Sequence, residues 1–333
     1  WTLGRGGAER VVVDIARRLP HRGYIPRVIA LGGGGPLEEE LRSSGIEVVV
    51  GPETYDRRGT RDFARRMVAS IEAGSIVHTH LGADHWLGYP AFRKGHAWLS
   101  TCHNDDRDDA WWKRRLKVWT WNRAPRVLAV SQAVQTFWRG QGANTSHWRV
   151  LANAIEIQRF SPKTRVEYSD EPLIVSVGRL VEQKRHEWLL RALAPIHRPW
   201  RLELVGDGPL RSSLEALADT LGIRGRVSFR GVSPDVRSEL ARADLFAFSS
   251  AWEGQGLAVL EAAAAGVPLL LSDLPVFHEW LSDQSALFVE DSIDAWTAAF
   301  ERALHDPRAM QQQAWRAHED VLRAGDVDAM VDA

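Results

Sequence analysis

Residues 253–268 read EGQGLAVLEAAAAGVP, which predicts a glycine-rich turn followed by a short helix. The apolar run 245–248 predicts a buried strand before it, and the closing Gly-Val-Pro ends the helix predicted after the glycines. A strand, a glycine-rich turn and a helix N-terminus form an anion site, because free backbone N–H groups point out of the helix end. Glu253 and Glu261 flank that site as acceptors for hydroxyl groups. The alternative interpretation is an ordinary turn with two surface glutamates.

The composition indicates a globular protein. The chain has 333 residues, of which 44% are hydrophobic, and a net charge of -1. This length fits two domains, and the balanced charge argues against a general nucleic-acid binder. The single cysteine, Cys102, excludes an internal disulfide framework and indicates a reducing compartment. Because the sequence has no signal peptide and no apolar run that could span a bilayer, we expect a cytoplasmic protein.

Helices and strands alternate along both halves of the chain. This alternation predicts an α/β fold with parallel sheets, in which ligands gather beyond the carboxyl ends of the strands. The glycine-rich loop Gly4–Gly7 opens a helix with no strand before it, so we expect about ten residues to precede Trp1. The predicted strands are 27–31, 46–50, 75–80, 97–102, 126–130, 147–151, 173–177, 201–205, 226–229, 245–248, 269–272 and 286–289.

The polar stretch 158–172, which holds two prolines, is the best domain boundary. It divides the chain into a first domain, residues 1–157, and a second domain, residues 173–306. Among the predicted helices are 60–73 and 185–193, and Pro307 opens a long helix that occupies residues 307–333.

His103 and an acidic cluster follow a predicted strand of the first domain. His103 comes directly after the strand 97–102, where an active site would lie, whereas a lone histidine is more often structural. Residues 105–109 read DDRDD, and their carboxylates could bind a metal ion. We favour a solvated helix start, since the helix dipole attracts negative charge there.

A basic helix rich in tryptophan is predicted at residues 110–123. Such a helix suits the headgroup layer of an anionic membrane. The alternative is that its tryptophans pack into the core, which we favour slightly for those side chains, while the basic residues favour the membrane. The residues that could contact a membrane or an acceptor are Trp111, Trp112, Lys113, Arg114 and Lys117.

Arg179 and Lys184 stand at the next strand-to-helix turn, after the strand 173–177. Two cations at the carboxyl end of a strand can hold a diphosphate, the arginine by its fork of donors and the lysine as a point charge. The alternative is a pair of surface cations.

Together these motifs resemble the GT-B glycosyltransferases of glycosyltransferase family 4, a retaining family that uses nucleotide-sugar donors. The resemblance runs over nearly the whole chain and implies two Rossmann-like domains that face each other across a cleft. The first domain would take the acceptor, the second would bind the nucleotide-sugar, and the final helix would cross back toward the first. The motifs are Gly6-Gly7-Ala8-Glu9-Arg10, Gly178-Arg179-Leu180 with Lys184, Val205-Gly206-Asp207-Gly208-Pro209, Phe229-Arg230-Gly231, and Glu253 with Glu261.

The resemblance also implies catalytic roles. Arg179 and Lys184 would neutralise the departing diphosphate, so that no metal and no cofactor is expected. Glu253 would hold hydroxyls of the donor sugar, and His103 would lie near the reacting sugar. Such catalysis proceeds by departure and attack on one face of the sugar, without a protein nucleophile. The family usually has an aromatic residue where Gln255 stands, so sugar specificity should depend on this position.

The remaining implied roles concern the donor. Glu261 would accept from the ribose hydroxyls, while Arg230 and Val232 would frame the base. Backbone N–H groups would meet the phosphates or the sugar from Gly256, Leu257 and Ala258, and across the cleft from Gly7.

We therefore expect a glycosyltransferase that uses a UDP-sugar and a saccharide or lipid-linked acceptor in bacterial envelope polysaccharide or lipopolysaccharide synthesis. Peripheral contact with the inner face of the cytoplasmic membrane would follow from the basic helix. Two alternatives stay open, a nucleotide-sugar-binding protein without turnover and a GT-B nucleotide-sugar epimerase. An NAD-dependent dehydrogenase fits less well, because a complete Gly-x-Gly-x-x-Gly with an acidic strand end is missing.

Overall fold

The structure, a computed structural model, describes residues 2–4, 6–53, 56–162 and 167–333. Trp1, Arg5 in the first glycine loop and residues 163–166 of the predicted linker lie outside these ranges. The chain forms two compact units, described here one at a time. Residues up to Ala154 together with 327–333 make the first unit, and residues 155–326 make the second.

The strand pairs that the structure describes in the first unit are all parallel. β1 pairs with β2, and β3 to β6 form a second sheet in sequence order. Parallel neighbours need a crossover between them, and helices supply most of these connections. Its strands are β1 (Arg27–Ala30), β2 (Glu47–Val50), β3 (Ile76–His80), β4 (Ala97–Cys102), β5 (Arg126–Ala129) and β6 (Trp148–Val150), and its helices are α1 (Gly7–Arg18), α2 (Pro36–Ser43), α3 (Arg57–Ala69), α4 (Tyr89–Arg93), α5 (Trp111–Trp121) and α6 (Gln132–Gly140).

The second unit is one parallel sheet with helical crossovers. Its strands are β7 (Leu173–Val177), β8 (Arg201–Val205), β9 (Val227–Gly231), β10 (Leu245–Phe248), β11 (Leu269–Ser272) and β12 (Leu287–Val289), and its helices are α7 (His186–Leu193), α8 (Arg211–Thr220), α9 (Val236–Arg242), α10 (Leu257–Ala264), α11 (Ile293–His305) and α12 (Pro307–Ala324). The strand order across the sheet is β12-β11-β10-β7-β8-β9. This is the doubly wound order of a Rossmann fold, which the alternation of elements in the sequence predicted.

The single long helix predicted from Pro307 is wrong, because the chain breaks at Gly325. Gly325 has a φ of 92°, which an α-helix does not allow, and α12 ends just before it. A separate helix follows, α13 (Val327–Asp332), which belongs to the first unit. There the Arg22 guanidinium Nε donates to Asp332 Oδ1 at 2.5 Å.

Two other predicted helices were misplaced by a few residues. The helix predicted at 60–73 is α3, and it starts earlier because the Asp56 carboxylate caps it by accepting from the Arg58 and Gly59 amides. The helix predicted at 185–193 is α7, which begins one residue later than predicted. Arg185 has a left-handed conformation, and a 3₁₀ turn over Glu182–Lys184 precedes it.

Many of the tryptophans are core residues, which accounts for much of their high number. In the first unit, Trp121 packs edge-on against Trp138 and Trp148, with ring centroids 4.7 and 5.5 Å away. In the second unit, Trp200 and Trp296 are fully buried in a cluster that includes residues from all six strands of the sheet. Large aromatic side chains contribute much apolar area to each core.

Candidate active site

The strand order of the second unit fixes where a ligand would bind. From β7 the chain proceeds to β8 and β9 on one side, and from β10 it proceeds to β11 and β12 on the other. The crossovers that leave β7 and β10 therefore run in opposite directions across the sheet, although these two strands are hydrogen-bonded neighbours. In open α/β sheets the crevice at such a switch point, beyond the carboxyl ends of the strands, binds the ligand.

Lys184 and Glu253 meet at this switch point. The turn after β7 carries Lys184 and the loop after β10 carries Glu253, and the Lys184 Nζ lies 2.5 Å from Glu253 Oε1. Their side chains are only 15% and 8% exposed. The ammonium also lies 4.5 Å from the ring centroid of Phe248, the last residue of β10. A lysine has three donors, so Lys184 can hold Glu253 and still bind a phosphate oxygen.

Arg179 lies on the same turn but is exposed. Within the described ranges no ion pair involves its guanidinium. The sequence placed Arg179 and Lys184 together as a pair of cations, and the structure places them on one turn with different surroundings. Arg179 is thus available to a ligand, whereas Lys184 is partly engaged by Glu253.

The turns after β7 and β8 pack tightly because both are glycine-rich. Gly206 has a φ of 140°, and a Cβ there would overlap the carbonyl oxygen of Gly178. Backbone hydrogen bonds join the same turns, from Gly178 N to Val205 O at 2.9 Å and from Leu180 N to Asp207 O at 3.0 Å. The glycines of both motifs therefore hold the turn that carries Arg179 and Lys184 in place.

Helix α10 begins directly after the loop that carries Glu253. Gly256 caps it in the left-handed conformation, with a φ of 81°, and a Cβ there would press on the Phe277 ring. The amides of Leu257 and Ala258, in the first turn, have no intrahelical acceptor. Glu261 lies one turn further along α10. Gln255, beside the cap, is buried.

The predicted base-binding residues, Arg230 and Val232, lie at the end of β9. Val232 is 53% exposed, which is unusual for a valine and leaves its side chain free to cover a flat ring. The Arg230 guanidinium is exposed, and its Nε lies 3.9 Å from a Glu203 carboxylate oxygen.

Gln183 is a site residue that the sequence did not reveal. It is buried, its backbone oxygen accepts from the Ala251 amide at 2.8 Å, and its Nε2 donates to the Trp252 carbonyl oxygen at 2.8 Å. The Ser249 hydroxyl donates to the Lys184 carbonyl oxygen at 2.9 Å. These bonds fasten the loop before Glu253 to the turn of Lys184. Because burial is set by the fold, a glutamine inside a predicted turn carries no sequence signal of this role.

His103, in the first unit, has a second histidine, His80, as its neighbour. His80 closes β3, and its Nδ1 lies 2.8 Å from His103 Nε2. Burial lowers the pKa of His103 to about 3 and lowers that of His80 well below its usual value. Both imidazoles are therefore neutral at pH 7.

A buried network of polar side chains lies in the same sheet. Asp84 accepts hydrogen bonds at 2.5 Å from the hydroxyls of Thr79 on β3 and Ser100 on β4. Trp98 and Trp121 donate from their indole nitrogens to those two hydroxyls, at 2.8 and 3.1 Å. Burial raises the pKa of Asp84, and its hydrogen bonds act against that shift. Through Asp84 the network connects Thr79 on β3, which directly precedes His80, to Ser100 on β4, which lies three residues before His103.

The acidic cluster 105–109 is not the solvated helix start that we predicted. Asp105 is buried and ion-paired with Arg107, and α5 begins only at Trp111. Burial raises the pKa of Asp106, an effect that Lys117 opposes. In the part of the chain that the structure describes, no group of three or more potential ligands could hold a metal ion.

Lys117 does not face outward as the membrane-facing cation that we predicted, because it is paired with two of these carboxylates. Its Nζ lies 2.7 Å from Asp106 and 2.6 Å from Asp109, and its side chain is largely buried. Lys113 remains exposed, with its Nζ 3.7 Å from Asp109, and Arg114 donates to the Arg107 carbonyl oxygen. The charge of Lys117 is used to hold the loop that follows His103.

Three of the four tryptophans of α5 face solvent rather than the core. Trp111, Trp112 and Trp119 are 68%, 49% and 42% exposed, so the core interpretation is wrong for these three and right for Trp121, which is buried. Arg123 stacks its guanidinium 4.1 Å from the Trp119 ring centroid. No helix of the described residues is both long and apolar enough to cross a membrane.

The predicted site residues thus fall into two groups. The second unit brings Lys184 and Glu253 into contact and sets Arg179 and the amides of α10 at the same crevice. The first unit holds His103 and, at the N-terminus of α1, Gly7. The Glu9 carboxylate lies beside Gly6 there, where a Cβ on residue 6 would overlap it.

Known proteins resemble this chain over most of its length. The lipopolysaccharide core biosynthesis glycosyltransferase LpsE of Rhizobium meliloti is 33% identical over 167 residues, which are 50% of this chain and 49% of LpsE. The chain therefore matches about half the length of that relative. The putative glycosyltransferase EpsF of Bacillus subtilis is 26% identical over 332 residues, 90% of this chain and 85% of EpsF.

Solved structures share the fold. Anabaena HepE, crystallised with UDP-glucose, has a TM-score of 0.88 at 21% identity, over 98% of this chain and 94% of HepE. Sucrose-phosphate synthase from Thermosynechococcus elongatus has a TM-score of 0.82 at 20% identity, over 98% of this chain and 91% of that chain. The prediction of an α/β fold of the GT-B type is confirmed.

Two family models match consecutive parts of the chain. The model described as Glycosyltransferase Family 4 matches residues 5–159, and the model described as Glycosyl transferases group 1 matches residues 157–320. Because the two together span residues 5–320, the chain belongs to the group 1 glycosyltransferases, with an N-terminal part of Family 4.

Proposed function

We propose that this protein is a retaining, metal-independent glycosyltransferase that moves a sugar from a UDP-sugar to a saccharide or lipid-linked acceptor in bacterial envelope polysaccharide or lipopolysaccharide synthesis. The observation that carries the proposal is the meeting of Lys184, Glu253 and the N-terminus of α10 at the switch point of the second unit. Cations, a hydroxyl acceptor and free amides are the groups that a sugar diphosphate requires.

The proposed reaction exchanges one bond at the anomeric carbon for another. The bond from that carbon to the diphosphate oxygen breaks, and its electron pair leaves with the phosphate. Lys184 and Arg179 stabilise the charge that develops there, a role that positive side chains can fill without a metal. The acceptor hydroxyl oxygen attacks from the same face, and its proton passes to the departing phosphate. The configuration of the sugar is thereby retained.

The remaining residues of the site hold the donor in this scheme, and Glu253 binds its sugar. Its carboxylate accepts from hydroxyls of the donor sugar, and the ion pair with Lys184 fixes its position. Glu261 accepts from the ribose hydroxyls, while the exposed Val232 covers the base with Arg230. His103 is proposed to contact the sugar, and the Gly7 amide is proposed to contact the phosphates.

The nucleotide is tested by thermal shift with UDP, GDP and ADP. A nucleotide at 100 times its Kd stabilises the folded protein by about 2.7 kcal/mol. When all three nucleotides are added at the same concentration, the one with the lowest Kd therefore gives the largest rise in Tm. We expect UDP to give the largest rise and Glu261→Gln to diminish it, whereas exposed Asp283→Asn serves as the matched control. A larger rise with GDP or ADP would refute the choice of UDP. HepE, which was crystallised with UDP-glucose, motivates the choice.

Turnover is tested by product analysis with and without a strong chelator. Proton NMR of the product should show the anomeric configuration of the donor, and EDTA should leave the rate unchanged. Inversion, or loss of activity with EDTA, would contradict the proposal. Binding of the nucleotide-sugar without any product would favour a binding protein, and a change of the sugar without an acceptor would favour an epimerase.

The acceptor would be reached at a membrane surface through α5. Three exposed tryptophans beside Lys113 and Arg123 give the mixture of aromatic and basic groups that suits lipid headgroups. The double variant Trp111→Ser with Trp112→Ser should reduce sedimentation with phosphatidylglycerol vesicles. Trp315→Ser, which removes an exposed tryptophan of α12, is the matched control and should bind as the parent does. If the double variant and Trp315→Ser bound the vesicles equally well, the proposed membrane contact of α5 would be wrong.

A further inference from the structure

His80 and His103 come from neighbouring strands and share one hydrogen bond. β3 and β4 pair in parallel with His80 opposite Thr101, and His103 is the first residue after β4. The His80 Nδ1 lies 2.8 Å from the His103 Nε2, and the ring centroids lie 5.1 Å apart at an interplanar angle of 30°. One nitrogen of His103 is thus already occupied.

The orientation of His80 is itself fixed by its neighbours. The His78 ring packs 4.1 Å from the His80 ring, and the His78 Nε2 is 2.7 Å from the Thr101 hydroxyl. Between the two histidines, Thr79 points to the other face and bonds to Asp84. The end of β3 is therefore held from both faces, and His80 cannot easily turn away.

The bond between the two imidazoles restricts the protons that they carry. A neutral imidazole has one N–H group and one nitrogen with a free lone pair. Burial lowers the pKa of both rings, so the pair is neutral at pH 7 and only one proton lies between Nδ1 of His80 and Nε2 of His103. Whichever ring donates, the tautomer of one determines the tautomer of the other.

We propose that His80 is a positioning residue for His103, which it holds in one ring orientation and one tautomer by occupying Nε2. Only Nδ1 of His103 is then presented to a substrate hydroxyl. In the described part of the chain no hydrogen bond involves that Nδ1. This inference rests on the proposed function, since it assumes that His103 meets the sugar.

A spectroscopic experiment tests the pairing independently of any activity. ¹⁵N NMR of the imidazoles should show one neutral tautomer for His103 in the parent protein. In His80→Leu, which offers no hydrogen-bond partner, the two His103 nitrogens should shift toward the averaged values of a mixture of tautomers. His96→Asn removes a histidine at the other end of β4 and should leave the His103 signals unchanged. Identical His103 signals in the parent and His80→Leu would overturn the proposal.

Kinetics then tests the consequence for catalysis. In metal sites, loss of the residue that orients a ligating histidine typically costs about 10- to 100-fold, and we take the same scale for His103. We expect His80→Leu to lower kcat by about 10-fold or more while the Kd for UDP changes by less than about twofold. His80→Asn, whose amide can replace the Nδ1 contact, should recover part of kcat and keeps the test valid if His80→Leu does not fold. Full activity of folded His80→Leu would refute the positioning role.

The two proposals fail in different ways. If no donor or acceptor gives turnover, the proposed function fails, but the NMR comparison still decides whether His80 fixes the tautomer of His103. If turnover is found and the NMR signals do not respond to His80→Leu, only the positioning role fails.

Discussion

Lys184 and Glu253 stand 69 positions apart in the chain and form an ion pair, with Nζ 2.5 Å from Oε1, where β7 and β10 lie side by side. Two residues for which we predicted separate tasks are therefore one structural group. The lysine fixes the carboxylate that should hold the sugar, and the carboxylate fixes the ammonium that should meet the diphosphate. Changing either residue should disturb both tasks.

The first prediction concerns the stability of this pair. Lys184→Met leaves the Glu253 carboxylate buried without its partner, and breaking a buried ion pair costs about 3–5 kcal/mol. We expect Lys184→Met to lower the free energy of unfolding by about that amount, and Lys184→Met with Glu253→Gln to lower it less. Urea denaturation of the parent, both single variants and the double variant measures this coupling.

The same variants separate stability from catalysis. The double variant should be more stable than Lys184→Met and yet remain at least about 100-fold less active than the parent, because it lacks the cation for the diphosphate. A double variant that regains activity along with stability would show that Lys184 matters only to folding.

The second prediction concerns Gln183, whose amide fastens the loop before Glu253. Gln183→Leu loses the hydrogen bond to the Trp252 carbonyl oxygen, and a hydrogen bond of this kind contributes about 0.5–1.5 kcal/mol to stability. We also expect a fall in kcat/KM of at least about 10-fold, since a small displacement of a binding group is costly for catalysis. Gln284→Leu, at an exposed position of the same unit, should leave both quantities unchanged. Equal kinetics for the two variants would refute this role.

The elements of the second unit were predictable because each carries its own local signal. The apolar run 245–248 is β10, the glycines that follow it open α10, and Gly178 directly follows β7. Parallel strands then require the carboxyl ends to meet at one edge, so Lys184 and Glu253 could be placed at the same crevice. Their direct contact could not be predicted, because it depends on β7 and β10 being neighbours in the sheet.

Other features required the tertiary structure for a different reason. Helical spacing places Trp112 and Trp119 on one face of α5, but only packing decides whether that face meets the core or solvent. Lys117 lay on the predicted membrane helix, and the loop that brings Asp106 and Asp109 to it has no periodic signal. Sequence patterns describe faces and turns, while the partners across them are set by the fold.

The third prediction concerns Arg185, which adopts the left-handed conformation with φ 46° and ψ 39°. This conformation costs a residue with a Cβ roughly 1 kcal/mol and costs glycine little. Arg185→Gly and Arg185→Ala both lose the stacking on Trp188 and the ion pair with Asp291, but only the alanine keeps the strain. We expect the glycine variant to be more stable than the alanine variant by about 1 kcal/mol, as measured by urea denaturation.

Arg191 supplies the matched control for that comparison. It is exposed within α7, where glycine is less favourable than alanine by about 1 kcal/mol. The order of stability should therefore reverse, with Arg191→Ala above Arg191→Gly. If the alanine variant were the more stable one at both positions, the left-handed conformation of Arg185 would store no strain.

The fourth prediction uses the pH dependence of stability at His186, the first residue of α7. The side chain is buried, and burial, with a further effect of Lys184, lowers its pKa to about 3. In the unfolded chain the pKa of a histidine is about 6.5. Below that pH the unfolded state binds a proton that the folded state does not bind. The free energy of unfolding therefore falls by about 1.4 kcal/mol per pH unit from this residue alone, until the folded pKa is reached.

His186→Leu removes this contribution and keeps the site apolar. Whatever its stability at pH 7, the difference between the variant and the parent should move in favour of the variant by about 1.4 kcal/mol per pH unit between pH 6 and pH 4. Urea denaturation at several pH values measures this difference, and subtraction cancels the carboxylates and other histidines that both proteins share. His197→Leu replaces an exposed histidine of the same unit as the matched control. If the curves of His186→Leu and the parent run parallel with pH, then His186 takes up its proton in the folded protein and its burial does not oppose the charge.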